Sequence, residues 1–175
     1  GKGGLVWTKS RSAAYSNAVQ DTARGRNNIL FSNDIVANQA YSTSINSFNA
    51  NGYTLGSETL TNQNGTTYVG WTFRKAAKFF DVVTYTGDGT SSRSISHNLG
   101  SVPGMMIVKR TSSTGNWWVY HRAMDATAND YYMFLESTAA KTNTNAPWND
   151  TTPTSTQFTL GGGGVNTNAE TYVAY

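Results

Sequence analysis

The chain has 175 residues, which is enough for one β-sandwich domain or two small ones. It contains no cysteine, so disulfide bonds, thiolate metal sites and thiol nucleophiles are excluded. Only 13% of the residues are charged and the net charge is +3, with scattered lysines and arginines, so we expect neither a nucleic-acid interface nor membrane insertion. Because the chain begins with glycine rather than methionine, we expect a processed product or part of a longer polypeptide.

Short apolar runs rich in β-branched and aromatic residues predict strands, and clusters of Gly, Asn, Ser and Thr separate them. In chain order these runs lie at residues 5–7, 82–85, 105–108, 117–120 and 131–135. Weak helical patterns occur only at residues 12–24 and 123–130, with a short connector at 72–78. Four consecutive glycines predict a loop at residues 161–164. The pattern therefore predicts an all-β protein with an antiparallel β-sandwich.

A hairpin is predicted over residues 79–97. Two β-rich runs flank the turn sequence Gly87, Asp88, Gly89, and such a turn between alternating runs is a strong local hairpin signal.

The chain resembles itself at an offset of 100. Residues 4–9 (Gly-Leu-Val-Trp-Thr-Lys) align with residues 104–109 (Gly-Met-Met-Ile-Val-Lys). The match continues through Phe48 against Trp148, residues 53–56 against 158–161, and residues 68–71 against 172–175. We predict two diverged repeats, 1–75 and 76–175, the second of which includes the extra N-terminal hairpin. The two repeats form either two domains or one fused sandwich.

No set of residues predicts catalysis. Neither His97 nor His121 has a second histidine at metal-ligand spacing, so no metal site is predicted. The ten carboxylates form no paired-acid motif, and neither a Gly-x-Ser-x-Gly elbow nor a phosphate-binding loop is present in the sequence. We therefore predict a protein without catalytic residues or cofactors.

Aromatic residues beside polar ones predict a ligand site in the second repeat. On a strand over 117–122, one face carries Trp117 and His121 and the other carries Trp118 and Arg122. Flat rings beside polar groups suit sugar recognition, because the rings stack on the pyranose while the polar groups bind hydroxyls. The alternative is that these tryptophans are core or subunit-interface residues. The predicted ligand-binding residues are Trp117, Trp118, His121, Arg122, Trp148 and Asp150.

Several short motifs resemble a domain of unknown function that recurs in virion structural and tail-fibre-like proteins of marine phages and cyanophages. These motifs lie at residues 4–11, 21–25, 47–56, 83–90, 95–100, 103–110 and 119–122. The resemblance implies a jelly-roll or concanavalin-like sandwich and offers no catalytic residues to carry over. Thr8 and Gln20 stand where the family more often has apolar residues, which implies altered packing or exposure of that edge.

The resemblance also implies a function. It implies an extracellular protein of the virion surface, which is a tail-fibre, host-attachment or head-decoration module with lectin-like character. Its expected partners are further copies of itself, other virion proteins and a host surface glycan. The alternatives are a carbohydrate-binding bacterial surface or filament protein and a polysaccharide depolymerase.

Overall fold

A computed structural model describes residues 3–175 of the chain as fifteen short strands, one four-residue helix and two 3-10 turns. The strands of the first half are β1 (Gly4–Ser10), β2 (Ala18–Asp21), β3 (Asn28–Phe31), β4 (Gln39–Ala40), β5 (Ile45–Phe48), β6 (Tyr53–Leu55) and β7 (Tyr68–Arg74). Those of the second half are β8 (Val83–Thr86), β9 (Arg93–Ser96), β10 (Met105–Arg110), β11 (Trp117–His121), β12 (Tyr131–Phe134), β13 (Thr142–Asn143), β14 (Gln157–Leu160) and β15 (Thr171–Ala174). Helix α1 spans Thr59–Asn62, and the 3-10 turns span Ala128–Asp130 and Gly163–Val165.

Two large antiparallel sheets dominate the fold. Sheet 1 has the strand order β4-β3-β2-β1-β7, and sheet 2 has the order β13-β12-β11-β10-β15-β8. Two smaller pairs, β5-β6 and β9-β14, complete the structure. All of these strand pairs are antiparallel, as the short alternating runs predicted.

The two large sheets pack face to face. Leu5, Val19 and Leu30 of sheet 1 share one buried cluster with Trp117 and Val173 of sheet 2. Because side chains alternate across a strand, this contact uses one face of each sheet and leaves the other face to be covered. The predicted all-β sandwich is therefore confirmed.

The outer face of each sheet is covered by one of the small strand pairs. Behind sheet 2, Met106 and Tyr120 pack against Phe158 of β14 and against the indole of Trp148. Behind sheet 1, the buried Gln20 accepts a hydrogen bond from the hydroxyl of Ser44 at 2.7 Å, just before β5.

Thr8 and Gln20, for which the resemblance implied altered packing or exposure, are both buried. Gln20 also donates from its amide to the carbonyl of Arg26 at 2.5 Å. A buried polar side chain needs such partners, because an unpaired amide away from water costs free energy. The departures therefore reflect altered packing behind sheet 1, not exposure.

The two large sheets share a pairing register. In β1 and β2 Leu5 pairs with Asp21, and in β10 and β11 Met105 pairs with His121, so both partners are shifted by 100. On their other side, β1 and β10 also pair in matching positions: Ser10 of β1 pairs with Tyr68, and Arg110 of β10 pairs with Tyr172. The first residues of these pairs are 100 apart in the chain and the second are 104 apart. A duplication would produce such matching registers, but the duplication and the domain boundary stay predictions.

The predicted hairpin over residues 79–97 is wrong. Strands β8 and β9 exist, but β8 pairs with β15 and β9 pairs with β14, in different sheets. The connection between them is held by the buried Asn166, whose amide donates to the carboxylate of Asp88 at 2.8 Å and to the carbonyl of Thr90 at 2.7 Å. A partner far along the chain therefore replaces the local turn.

The weak helical patterns do not form helices. Strand β2 occupies part of residues 12–24, and only a 3-10 turn forms within residues 123–130. The predicted connector at 72–78 overlaps the end of β7. Within residues 3–175, no helix has the length and hydropathy that crossing a membrane requires.

Candidate functional site

Two of the predicted ligand residues lie in the core. Trp117 is 1% exposed, and its indole nitrogen donates to the carbonyls of Phe31 at 2.9 Å and Asp34 at 3.0 Å. Trp148 is 0% exposed and donates to the carbonyl of Tyr131 at 3.0 Å. Stacking of a sugar on either ring would require the core to open. The structure therefore places both indoles as core residues, which is the alternative raised by the sequence.

Trp118 packs against other aromatic rings on the outer face of sheet 2. Its ring centroid lies 4.6 Å from that of Tyr132 and 4.8 Å from that of Phe134. A β-carbon at Gly164 would lie 2.4 Å from the indole, so only glycine fits beneath this ring. The half-buried Trp118 thus holds the glycine loop against the sheet.

The other three predicted residues are exposed: His121 and Arg122 are adjacent in the chain, and Asp150 lies in a later turn. His121 ends β11, and its Nδ1 accepts from the amide of Ala123 at 3.2 Å. Arg122 follows it, and its amide donates to the carbonyl of Gly104 at 2.9 Å. Asp150 lies elsewhere, beside Trp148. The structure brings Trp117 and His121 to one cleft and does not assemble the six residues into one site.

Asp150 pairs with a second carboxyl group. A side-chain hydrogen bond with Asp130 raises the pKa of Asp150, and desolvation and charge repulsion from Asp130 add to the shift. Asp150 also has a positive φ of 47°, as does Asn149 at 52°. Because a protonated carboxyl group can donate to its neighbour whereas two ionised ones repel each other, this contact depends on pH.

A polar groove lies between sheet 1 and the β8 side of sheet 2. It encloses about 450 Å³, which is within the size range of small-ligand sites. None of the six predicted residues lines it. The lining residues are Arg24, Asn28, Asn38, Thr84, Tyr85, Thr86, Thr111, Thr171 and Tyr172.

The sheet 1 wall of the polar groove is a chain of hydrogen-bonded side chains. Arg24 donates through Nε to Asp21 at 2.6 Å and through Nη1 to the amide oxygen of Asn38 at 2.8 Å. Asn38 donates in turn to the amide oxygen of Asn28 at 2.7 Å. These contacts hold both amides in fixed orientations, so a ligand would meet a preorganised wall.

The charge of Arg24 is compensated inside the protein. Burial by itself lowers the pKa of Arg24, but the neighbouring Tyr175 and Asp21 outweigh it and raise the pKa above its usual value. The Tyr175 hydroxyl donates to Asp21 at 2.6 Å and accepts from Arg24 at 3.2 Å. Burial also raises the pKa of Tyr175 well above its usual value, so this hydroxyl keeps its proton at neutral pH. The guanidinium therefore does not require an anionic ligand.

The sheet 2 wall is a row of threonines that lie on β8, on β15 and directly after β10. Thr86 of β8 pairs with Thr171 of β15, and the hydroxyls of Thr171 and Thr111 lie 2.6 Å apart. Thr84 and Thr86 are exposed. Neighbouring strands are about 4.8 Å apart, so threonines on adjacent strands can present their hydroxyls side by side. The sequence signal for this row is the Thr84-x-Thr86 alternation, which places both hydroxyls on one face of a strand.

A second cleft, here called the apolar cleft, opens between the two sheets and encloses about 470 Å³. The exposed Phe79 and Met105 line it. Ser32 also lines it, and its buried hydroxyl has no hydrogen-bond partner within residues 3–175. His121 and Trp117 also line it.

Comparison with known families gives one match. The family described as Domain of unknown function (DUF7483) matches residues 2–175. The chain belongs to this family. No curated protein and no solved structure matches the chain significantly. The predicted resemblance to a domain of unknown function is thus confirmed for this DUF7483 chain, whereas the phage origin stays a prediction.

Proposed function

We propose that this DUF7483 chain is a non-catalytic adhesive module of a phage virion surface, of the tail-fibre or host-attachment kind, which binds a neutral glycan in the polar groove. The observation that carries the proposal is that a wall of fixed side-chain amides faces a row of threonine hydroxyls. The groove between them has a volume of about 450 Å³. The family resemblance of its motifs and the low charge of the chain support the virion setting.

The chemistry of the groove suits sugar hydroxyls. Each sugar hydroxyl donates one hydrogen bond and accepts others, and threonine hydroxyls and asparagine amides can do both. Arg24 orients Asn38 through its guanidinium while its charge stays paired with Asp21. A neutral, hydroxyl-rich ligand therefore fits this groove better than an anionic or apolar one.

Removing groove hydroxyls tests the glycan site. The double variant Thr84→Val, Thr86→Val keeps the shape of two exposed strand residues but removes both hydroxyls. Each lost hydrogen bond contributes about 1 kcal/mol, so we expect binding to a glycan selected on an array to weaken about 30-fold by calorimetry. Thr142→Val, at an exposed position on β13 outside the groove, is the matched control and should bind normally.

Two results would contradict the proposal. One is that the native chain binds no glycan on an array of bacterial surface sugars. The other is that the double variant binds as tightly as the control, which would place the ligand elsewhere.

The depolymerase alternative has its own test. We expect the average length of host polysaccharide, measured by light scattering, to stay constant after prolonged incubation with the purified chain. Shortening of the polymer would show catalysis and would overturn the non-catalytic part of the proposal.

A further inference from the structure

Within residues 3–175, the edge strand β7 lacks a neighbour that its counterpart in sheet 2 possesses. Strand β15 pairs with β10 on one side and with β8 on the other, where Tyr172 meets Tyr85 and Ala174 meets Val83. Strand β7 pairs with β1 in the same register but has no second partner within residues 3–175. By the pairing register, Tyr68 of β7 corresponds to Tyr172 of β15.

The hydrogen bonds between β7 and the β1 side show which main-chain groups of β7 point the other way. The amide of Lys75 donates to Gly3 at 2.9 Å, and the carbonyl of Thr67 accepts from Arg11 at 2.8 Å, so the odd-numbered residues turn their main chain toward β1. An antiparallel strand alternates, so Tyr68, Gly70 and Thr72 direct their N–H and C=O groups away from β1.

The other edges of the large sheets are protected in ways that β7 is not. Strands β4 and β13 have only two residues each. On β8, the Arg93 guanidinium donates to the carbonyl of Thr86 and so occupies its open side. Short edges and edge charges are the usual devices that prevent strand addition. Strand β7 has seven residues, no proline and no charge before Arg74.

One large apolar side chain is exposed at the centre of β7. Trp71 is 48% exposed and packs edge-on against Trp7, with ring centroids 6.1 Å apart. A large, half-exposed indole beside open main-chain groups marks a surface suited to a second strand.

We propose that β7 pairs antiparallel with β7 of a second copy of this chain, around a two-fold axis at Gly70. Tyr68 then faces Thr72 of the partner subunit, and Trp71 packs beside Val69 of the partner subunit. Three pairs, each with two main-chain hydrogen bonds, give about six bonds and join the two five-stranded sheets into one.

Self-pairing fits the charge and shape of this edge. The stretch from Tyr68 to Phe73 is uncharged, so no like charges meet near the axis. Arg74 lies four residues from Gly70, so the two copies of Arg74 stand about 27 Å apart at opposite ends of the paired strands. Gly70 carries no side chain of its own, and the hydroxyl of Tyr53 occupies the position that a β-carbon there would take. These features select a second copy over a charged partner.

Sedimentation of the full chain tests the dimer. We expect a dimer at micromolar concentration, and an increase of about tenfold or more in the dissociation constant for Thr72→Pro, which removes an outward N–H. Trp71→Lys places a charge at the same edge and should also give monomers. Val102→Lys, at a loop position that is 46% exposed, is the matched control and should stay dimeric.

Hydrogen exchange supplies a residue-specific test that does not depend on the variants. In the dimer, the amides of Tyr68, Gly70 and Thr72 should be protected as well as those of Val69 and Trp71. In Trp71→Lys, protection should be lost at the three even-numbered positions alone.

A monomer at all concentrations, or a dimer whose even-numbered β7 amides exchange freely, would overturn the proposal. If Thr72→Pro does not fold, Trp71→Lys and the exchange pattern still decide. The polar groove shares no residue with this edge, so glycan binding and dimerisation can fail independently.

Discussion

Lys109 is a buried cation whose titration should be visible in the stability of the chain. Its side chain is fully buried on the face of β10 that meets sheet 1, and its ammonium group donates to the carbonyls of Ile35 at 3.2 Å and Arg110 at 2.9 Å. Burial lowers the pKa of Lys109 from 10.5 to about 8, although the nearby carboxylate of Glu136 acts in the opposite direction.

The sign and size of the effect follow from proton linkage. Because the folded pKa lies below the unfolded one, the unfolded chain binds more protons between pH 8 and 10.5, and stability rises with pH in that window. From pH 7 to pH 9 the free energy of unfolding should rise by roughly 1 kcal/mol, after allowance for solvent screening. Above that range, ionisation of tyrosines in the unfolded chain would obscure the effect.

Urea denaturation at pH 7, 8 and 9 measures this rise. We expect it in the native chain and expect Lys109→Met to lose it, because methionine has similar length and no titrating group. Lys9 occupies the corresponding position of β1 and is only partly buried. Lys9→Met should therefore keep the rise in the free energy of unfolding with pH. Equal slopes in the native chain and Lys109→Met would refute the reasoning.

Three further changes test the placement of individual side chains. Trp148→Ala should lower the free energy of unfolding in urea by about 3–5 kcal/mol, because it leaves a cavity in the core. Arg122→Ala, at an exposed position, should change it by less than about 0.5 kcal/mol. An equally small loss in Trp148→Ala would contradict the core position of Trp148. Tyr175→Phe should cost about 1–3 kcal/mol in the same assay, because the buried Asp21 carboxylate loses a donor; an unchanged midpoint would argue against this contact. The raised pKa of Asp150 means that the stabilising contribution of its protonated form is present below pH 3.8 and is lost as the pH rises through the folded pKa. Asp150→Asn should therefore raise the melting temperature more at pH 7 than at pH 3, and the opposite order would exclude the carboxyl pair.

The tryptophans of the strand at residues 117–121 show how far the sequence predicts burial. The strand around Trp117 and its alternation were predictable, because the period of two is a property of the local backbone. The exposure of each tryptophan was not, because both faces of sheet 2 are covered, one by sheet 1 and the other by β14. Only the packing of layers distant in sequence decides which aromatic ring meets solvent.

The polar groove illustrates the same limit at the level of a site. Thr84 and Thr86 could be assigned to one strand face from their spacing. Asn28 and Asn38 face them only because sheet 1 packs on sheet 2, and no local pattern links these segments.

The amino-acid sequence by itself determined that this chain is built from short strands, that it contains no thiol chemistry, and that two of its segments resemble each other. Those properties depend on composition and on side-chain period, which act over a few residues. Only the tertiary structure decided that β8 and β9 lie in different sheets, that Trp117 and Trp148 are core residues, and that β7 has a single strand neighbour within residues 3–175. Strand pairing and burial depend on contacts between residues far apart in the chain, and those contacts override the local turn and exposure signals.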